Sequence, residues 1–135
     1  MYYYNYPIIS SLGFILPILY SFYNEVYFNT YFFNLLLCNY ILSILFWSNP
    51  ISNKNEFVHK IDAIYARITI LSFILYKYII YNKNIGIFGF NLIIVVIFFL
   101  LSNKYSTQSW CCKSHIFFHI MAHISASITG FFAIL

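Results

Sequence analysis

Three histidines recur at every fourth position near the end of the chain: His115, His119 and His123, in the run SHIFFHIMAH. On an α-helix this spacing stacks the imidazoles along nearly one face, ~6 Å apart. Two His at i and i+4 hold a metal ion from a single helix. Imidazole suits zinc first, and iron and copper after it. The plainer reading of the same ladder is hydrogen bonding to neighbouring helices. In either case, three imidazoles in an apolar segment are costly to leave unpaired, so the ladder predicts partners.

Two further groups carry chemistry. His59 and Asp62, in VHKIDAIYAR, are three residues apart and share a helix face. Asp62 reads as a metal ligand, as a base orienting water, or as the partner that fixes a ligating His. It reads equally as a first-turn acid favoured by the helix dipole. Arg67, five residues on, either snorkels or pairs with Asp62. Ser43 and Trp47 lie one turn apart near the end of an apolar stretch. For them the plain readings are a helix–helix contact and an interfacial anchor. Cys38 reads as a small apolar filler. Cys111 and Cys112 lack a C-x-x-C partner but occupy a juxtamembrane position where thiols are acylated.

The elements that must position these residues are membrane helices. The 135 residues are 62% hydrophobic and 7% charged, with mean hydropathy +0.79, against roughly 25% charged in soluble domains. Ten charged side chains do not solvate a 16.1 kDa globule, whereas a bilayer accepts apolar surface all round. Apolar stretches cover residues 8–23, 27–47, 61–81, 85–101 and 114–135, each near the ~20 residues that cross a ~30 Å core. The expected fold is therefore all-α: one domain, residues 1–135, forming a polytopic transmembrane bundle of about five helices. The net charge of +4 is scattered singly and forms no phosphate track, which excludes nucleic acid as a partner. No phosphate loop, dinucleotide fingerprint, nucleophile elbow or cleavable signal peptide is read.

Five crossings put the N-terminus, the loop with Lys54 and Lys60, and the loop with Lys104 and Lys113 on one side. Lys83 and Lys77 fall on the other. The positive-inside rule then predicts an integral, multi-pass protein with its N-terminus on the cytoplasmic side. The second stretch ends, and the third and fifth begin, at that same membrane face. Ser43, His59, Asp62, His115 and His119 therefore share one leaflet, with His123 deeper. Polar groups that converge in an apolar bundle are the default site.

In order and type, these residues resemble the CREST superfamily of membrane hydrolases, which includes alkaline ceramidases and adiponectin receptors. That family's pattern is Ser-x-x-x-His at one helix end, Asp at the start of the next helix, and His-x-x-x-His in the last. HIFFH (His115 to His119) resembles the last element, and KIDAIYA with Asp62 the second. LSILFW supplies Ser43 but has Trp47 where the family has His. The resemblance covers roughly residues 40–75 and 110–130. It implies a zinc ion on His residues and hydrolysis of a lipid amide or ester.

Three functions are expected from this reading. The first is a zinc-dependent intramembrane hydrolase acting on membrane lipids. Its ligands are His115 and His119, with His59 or His123 third, and Asp62 and Ser43 are catalytic. The second is a small anchor subunit of a respiratory or other membrane complex, packed against partner subunits, with haem between histidines such as His59 and His115. The third is a binding or structural protein whose histidines join helices.

Overall fold

A computed structural model of the chain describes residues 5–23, 30–48, 57–80 and 84–134. Helix α1 (Asn5–Ser11) passes through a 3-10 turn (Leu12–Phe14) into α2 (Ile15–Tyr23). Pro17 explains the change of pitch. It has no N–H to give the Gly13 carbonyl, and its ring crowds that carbonyl. The rod continues because the Ser10 and Ser11 hydroxyls satisfy the Pro7 and Ile8 carbonyls at 2.9 and 2.7 Å. Helices α3 (Thr30–Ser48), α4 (Phe57–Leu75), α5 (Ile85–Gln108) and α6 (Lys113–Ile134) follow, and a π-helical turn (Tyr76–Ile80) extends α4. No strand occurs among the described residues. The chain is an all-α membrane protein, with five rods among the described residues, counting α1 and α2 as one.

Tyr6–Tyr23, Ile85–Gln108 and Lys113–Ala133 are long and apolar enough to cross a bilayer. The apolar part of α3 is shorter (Phe33–Ser48), and α4 is interrupted by Lys60, Asp62 and Arg67. Three of the five expected crossings thus qualify on length and composition. Lys54 and Lys83, which entered the orientation argument, lie outside the described residues.

Two boundaries differ from expectation. The polar segment 102–113, read as a loop, is mostly helix, since α5 runs to Gln108 and only residues 109–112 form the turn. The hydroxyls of Ser106 and Thr107 donate to the Asn103 and Lys104 carbonyls, both at 2.7 Å, so polar residues continue the helix. Helix α4 begins at Phe57 rather than at residue 61, so His59 and Asp62 lie on one helix, as their spacing predicts. The turn into α6 uses a left-handed Cys111 (φ 55°). Cys112 then caps the new helix: its Sγ accepts the His115 N–H at 3.4 Å, and its carbonyl accepts the Ile116 N–H.

Lipid supplies no hydrophobic drive between membrane helices, so close approach and polar contacts hold them together. The first rod lies between α3 and α6. A Cβ on Gly13 would meet the Ser127 Oγ at 2.5 Å, and one on Gly130 would meet the Pro17 ring at 3.1 Å. Small residues at those two places set the distance between the rod and α6. Asn39 joins α3 to α4 by donating to the Thr69 hydroxyl and to the Leu35 carbonyl. One apolar cluster (Leu36, Phe73, Phe88 and neighbours) closes one end of the bundle. A second (Phe46, Trp47, Ile116) closes the other. Helix α4 packs closely on α3, and α5 on α6, whereas α4 and α5 lack comparable packing on each other. Below the apolar cluster that holds Phe73 and Phe88 they leave a seam.

Candidate functional site

Behind that seam, between the two apolar clusters, lies a cavity of about 160 Å³. Helix α3 brings Asn39 and Ser43 to it, α4 brings His59, Asp62 and Arg67, and α6 brings His115, His119 and His123. Every residue singled out from the sequence as a ligand or catalytic group therefore reaches one wall or another of a single cavity. Periodicity explains this: 39 and 43 are one turn apart on α3, and 115, 119 and 123 are successive turns of α6. Sequence reading missed the α5 wall, where Ser102, Asn103 and Ser106 face the same space. The spacing of four between Ser102 and Ser106 is visible in the sequence, but a polar run between two apolar stretches reads as a loop. Asn39, Thr69 and Trp110 were also passed over.

The histidine ladder is engaged at its two ends and open in the middle. His115 Nδ1 accepts the Cys111 backbone N–H at 3.2 Å. A neutral ring in that role carries its proton on Nε2. His123 Nδ1 lies 3.0 Å from the Ser10 Oγ, whose own hydrogen goes to the Pro7 carbonyl. The network thus assigns the His123 proton to Nδ1, donating to Ser10. His119 is held by neighbours more than by hydrogen bonds. Its ring centroid is 4.5 Å from that of His123 and 5.9 Å from that of His115, and Ser102 Oγ is 3.5 Å from Nδ1. Its Nε2 is buried with no partner among the described residues, as is Ser43 Oγ. Buried polar atoms without partners are rare and point to a missing contact.

Aromatic rings frame the ladder. Trp47, 1% exposed, lies 5.0 Å from His119 and 6.2 Å from His115 between ring centroids. His59 stacks on Phe46 at 4.9 Å and meets Trp110 edge-on at 5.1 Å, and Trp110 also packs on His115 at 5.0 Å. His59 and His115 are therefore joined through an indole. Asp62 is buried, and no ion pair joins it to Arg67, so the pairing read from the sequence is not formed.

The donor chemistry suits zinc, but the arrangement does not complete a zinc site. Trp47 stands beside the two imidazoles at the position where the family pattern has His. The Nδ1 lone pair of His115 is taken by a backbone N–H. Among the described residues no group of three or more His, Cys, Asp or Glu side chains is placed to hold an ion. What the cavity offers is a graded surface. It is polar toward the α4 and α6 N-termini. Beyond Thr69 it adjoins a second chamber of about 40 Å³ lined mostly by apolar residues, including Phe73, Leu92 and Val95.

Outside the helices, burial and then the neighbouring Cys112 thiol push Cys111 up to about 11. A thiol that stays protonated is a poor nucleophile. None of the three cysteines is in a disulfide.

No protein-family model, no curated protein and no solved structure matches the chain.

Proposed function

We propose that this chain is an intramembrane lipid-binding protein that takes the polar head of an amphiphile into the cavity between α4 and α5. The carrying observation is the gradient along that cavity, from Ser43, Asp62 and the histidines to a chamber lined by residues such as Phe73 and Leu92. A water-soluble ligand gains nothing from the apolar chamber, whereas an acyl chain, already in hydrocarbon, passes into it without loss of hydrophobic stabilisation. Polar groups at membrane depth are costly and mark ligand paths. Ser43 Oγ and His119 Nε2, both buried and unpartnered, are groups that a bound head satisfies. The charge pattern supports placing the polar end of the cavity, with the N-terminus, on the cytoplasmic side of a multi-pass bundle.

The test is capture of lipid by the purified chain. A photoreactive lipid in nanodiscs should crosslink to α4 or α5 beside the seam, and substitution of Ala63 or Ala66 by Trp should block it by filling the cavity. Crosslinks spread evenly over the outer surface would sink this reading.

A second reading, zinc-dependent hydrolysis of a lipid amide or ester, is favoured by one observation. Ser43, Asp62, His115 and His119 face one cavity, in the chain order of the hydrolase family resembled. It requires a third donor to join His115 and His119. Stoichiometric zinc in protein purified without chelator supports it, and its absence removes it.

A further inference from the structure

We infer that the amphiphile is a zwitterionic phospholipid, its phosphate on Arg67 and its ammonium on Asp62. This rests on the lipid-binding reading above and names the ligand class for the same cavity.

Asp62 and Arg67 are opposite charges on one helix and face one cavity, yet they do not pair with each other. Each at membrane depth requires a counter-charge. A ligand that carries both charges supplies both. The order is also informative. Helix α4 enters at Phe57, so Asp62 is nearer the membrane face, and Arg67 is five residues, ~7.5 Å, further in. A phospholipid in that leaflet presents its charges in the same order, ammonium outermost and phosphate next to the glycerol. Its glycerol and the first carbons of a chain then face inward, toward the small chamber that Phe73, Leu92 and Val95 line. A purely anionic lipid would place a negative head against Asp62. A neutral lipid would leave both charges unmet.

The entry route agrees. Arg67 on α4 and Asn103 on α5 line the cavity while remaining exposed, so they mark its mouth at the seam where those helices lack close packing. Guanidinium and amide donors at a lateral opening suit phosphate oxygens. Ser43 Oγ, 1% exposed and unpartnered, faces the same cavity from α3.

The experiment is competition against the photoreactive lipid, using the full chain in nanodiscs. Competitors are phosphatidylethanolamine, phosphatidylglycerol, a ceramide, and soluble glycerophosphoethanolamine. Phosphatidylethanolamine should compete roughly 10- to 100-fold better than the other lipids, the range for one lost charge-assisted contact. Asp62→Asn should shift preference toward phosphatidylglycerol, and Arg67→Gln toward a cationic sphingoid base. Misfolding loses binding but does not invert preference, so these shifts separate the two. Equal competition by ceramide or phosphatidylglycerol overturns the inference while lipid binding stands. Competition by the soluble headgroup at the same concentration overturns its lipid source. No crosslinking of any lipid removes the lipid-binding reading itself.

Discussion

The indole of Trp47 packs against the imidazole of His119 at 5.0 Å, one helical turn after Ser43. A ring large enough to fill that position excludes both an ion and a third imidazole from it. Trp47→His should therefore create what the natural chain lacks. The variant is expected to bind one zinc ion with His115 and His119, at least about tenfold tighter than the natural chain. It should also lose about 2 kcal/mol or more of stability, because a filled aromatic site becomes partly empty. Isothermal titration with zinc, beside unfolding in detergent, checks both. Unchanged zinc affinity would mean that the indole is not what keeps the site open-ended.

Gly13 is a point of close approach between the first rod and α6. A methyl group there meets Ser127 Oγ at 2.5 Å, and that hydroxyl is already bonded to the His123 carbonyl at 2.8 Å. Gly13→Ala should cost about 1–3 kcal/mol, as overpacking does. The double change Gly13→Ala with Ser127→Ala should recover part of the loss. Denaturant titration of the four proteins in one detergent measures the coupling, and simple additivity would refute this contact.

How much of this was readable beforehand depends on the kind of signal. The bundle was legible, since stretches of apolar residues have few other solutions. So was the shared depth of Ser43, Asp62 and the histidines, because strict four-residue spacing on α6 and alternation of helix direction fix it. The extent of α5 was not. Ser102, Asn103 and Ser106 look like loop residues until the Ser106 hydroxyl is seen to bond the carbonyl three residues back and all three to face a cavity. The role of Cys112 as a helix cap was equally hidden, because a thiol is a weak acceptor and seldom fills that position. Trp47 reads as an interfacial anchor from sequence, and only its packing on His115 and His119 shows that it borders the cavity cluster.

Asn39 to Thr69 is the polar link between α3 and α4. Asn39→Leu should weaken the bundle by about 0.6–1.7 kcal/mol, the range for interhelical hydrogen bonds in bilayers. Thr69→Val should give a similar loss, and the double variant no more than either alone. The readout is again denaturant titration in detergent. Additive losses would show that each side chain acts through something else.

Cys111 gives a pH test that does not involve the cavity. Its thiol is pushed up to about 11, first by burial and then by Cys112. The sign follows directly: below that value the folded protein holds the proton, so the thiolate fraction near neutral pH is very small. Alkylation of Cys111 in the folded chain should stay slow through pH 9 and accelerate only toward pH 11. In the denatured chain the rise should come near the ordinary thiol value of 9.0. In terms of stability, a raised acid favours the folded state while protonated, and that contribution is lost as pH climbs through the folded value. Mass-resolved alkylation rates across pH decide the matter, and rapid labelling at pH 8 would contradict the burial.

His119 separates a structural role from a ligand-binding one. Its Nε2 is buried without a partner, which costs the folded protein about 1–3 kcal/mol of desolvation in the ligand-free state. A histidine kept only to join helices would lose stability on replacement, because its hydrogen bonds would be lost. Here the one polar approach among the described residues is Ser102 Oγ at 3.5 Å, at the limit of a hydrogen bond. The remaining neighbours are rings: Trp47, His115 and His123. His119→Phe keeps the ring contacts and removes the orphaned nitrogen, so the ligand-free protein should become more stable by about 1 kcal/mol. The same variant should bind lipid at least about tenfold more weakly, because the nitrogen that meets the head is gone. Greater stability together with weaker binding is the pattern of a site kept at the expense of the fold. Detergent unfolding and lipid competition on one preparation measure both quantities. A variant that loses stability while binding lipid normally would make His119 a structural residue and remove it from the site.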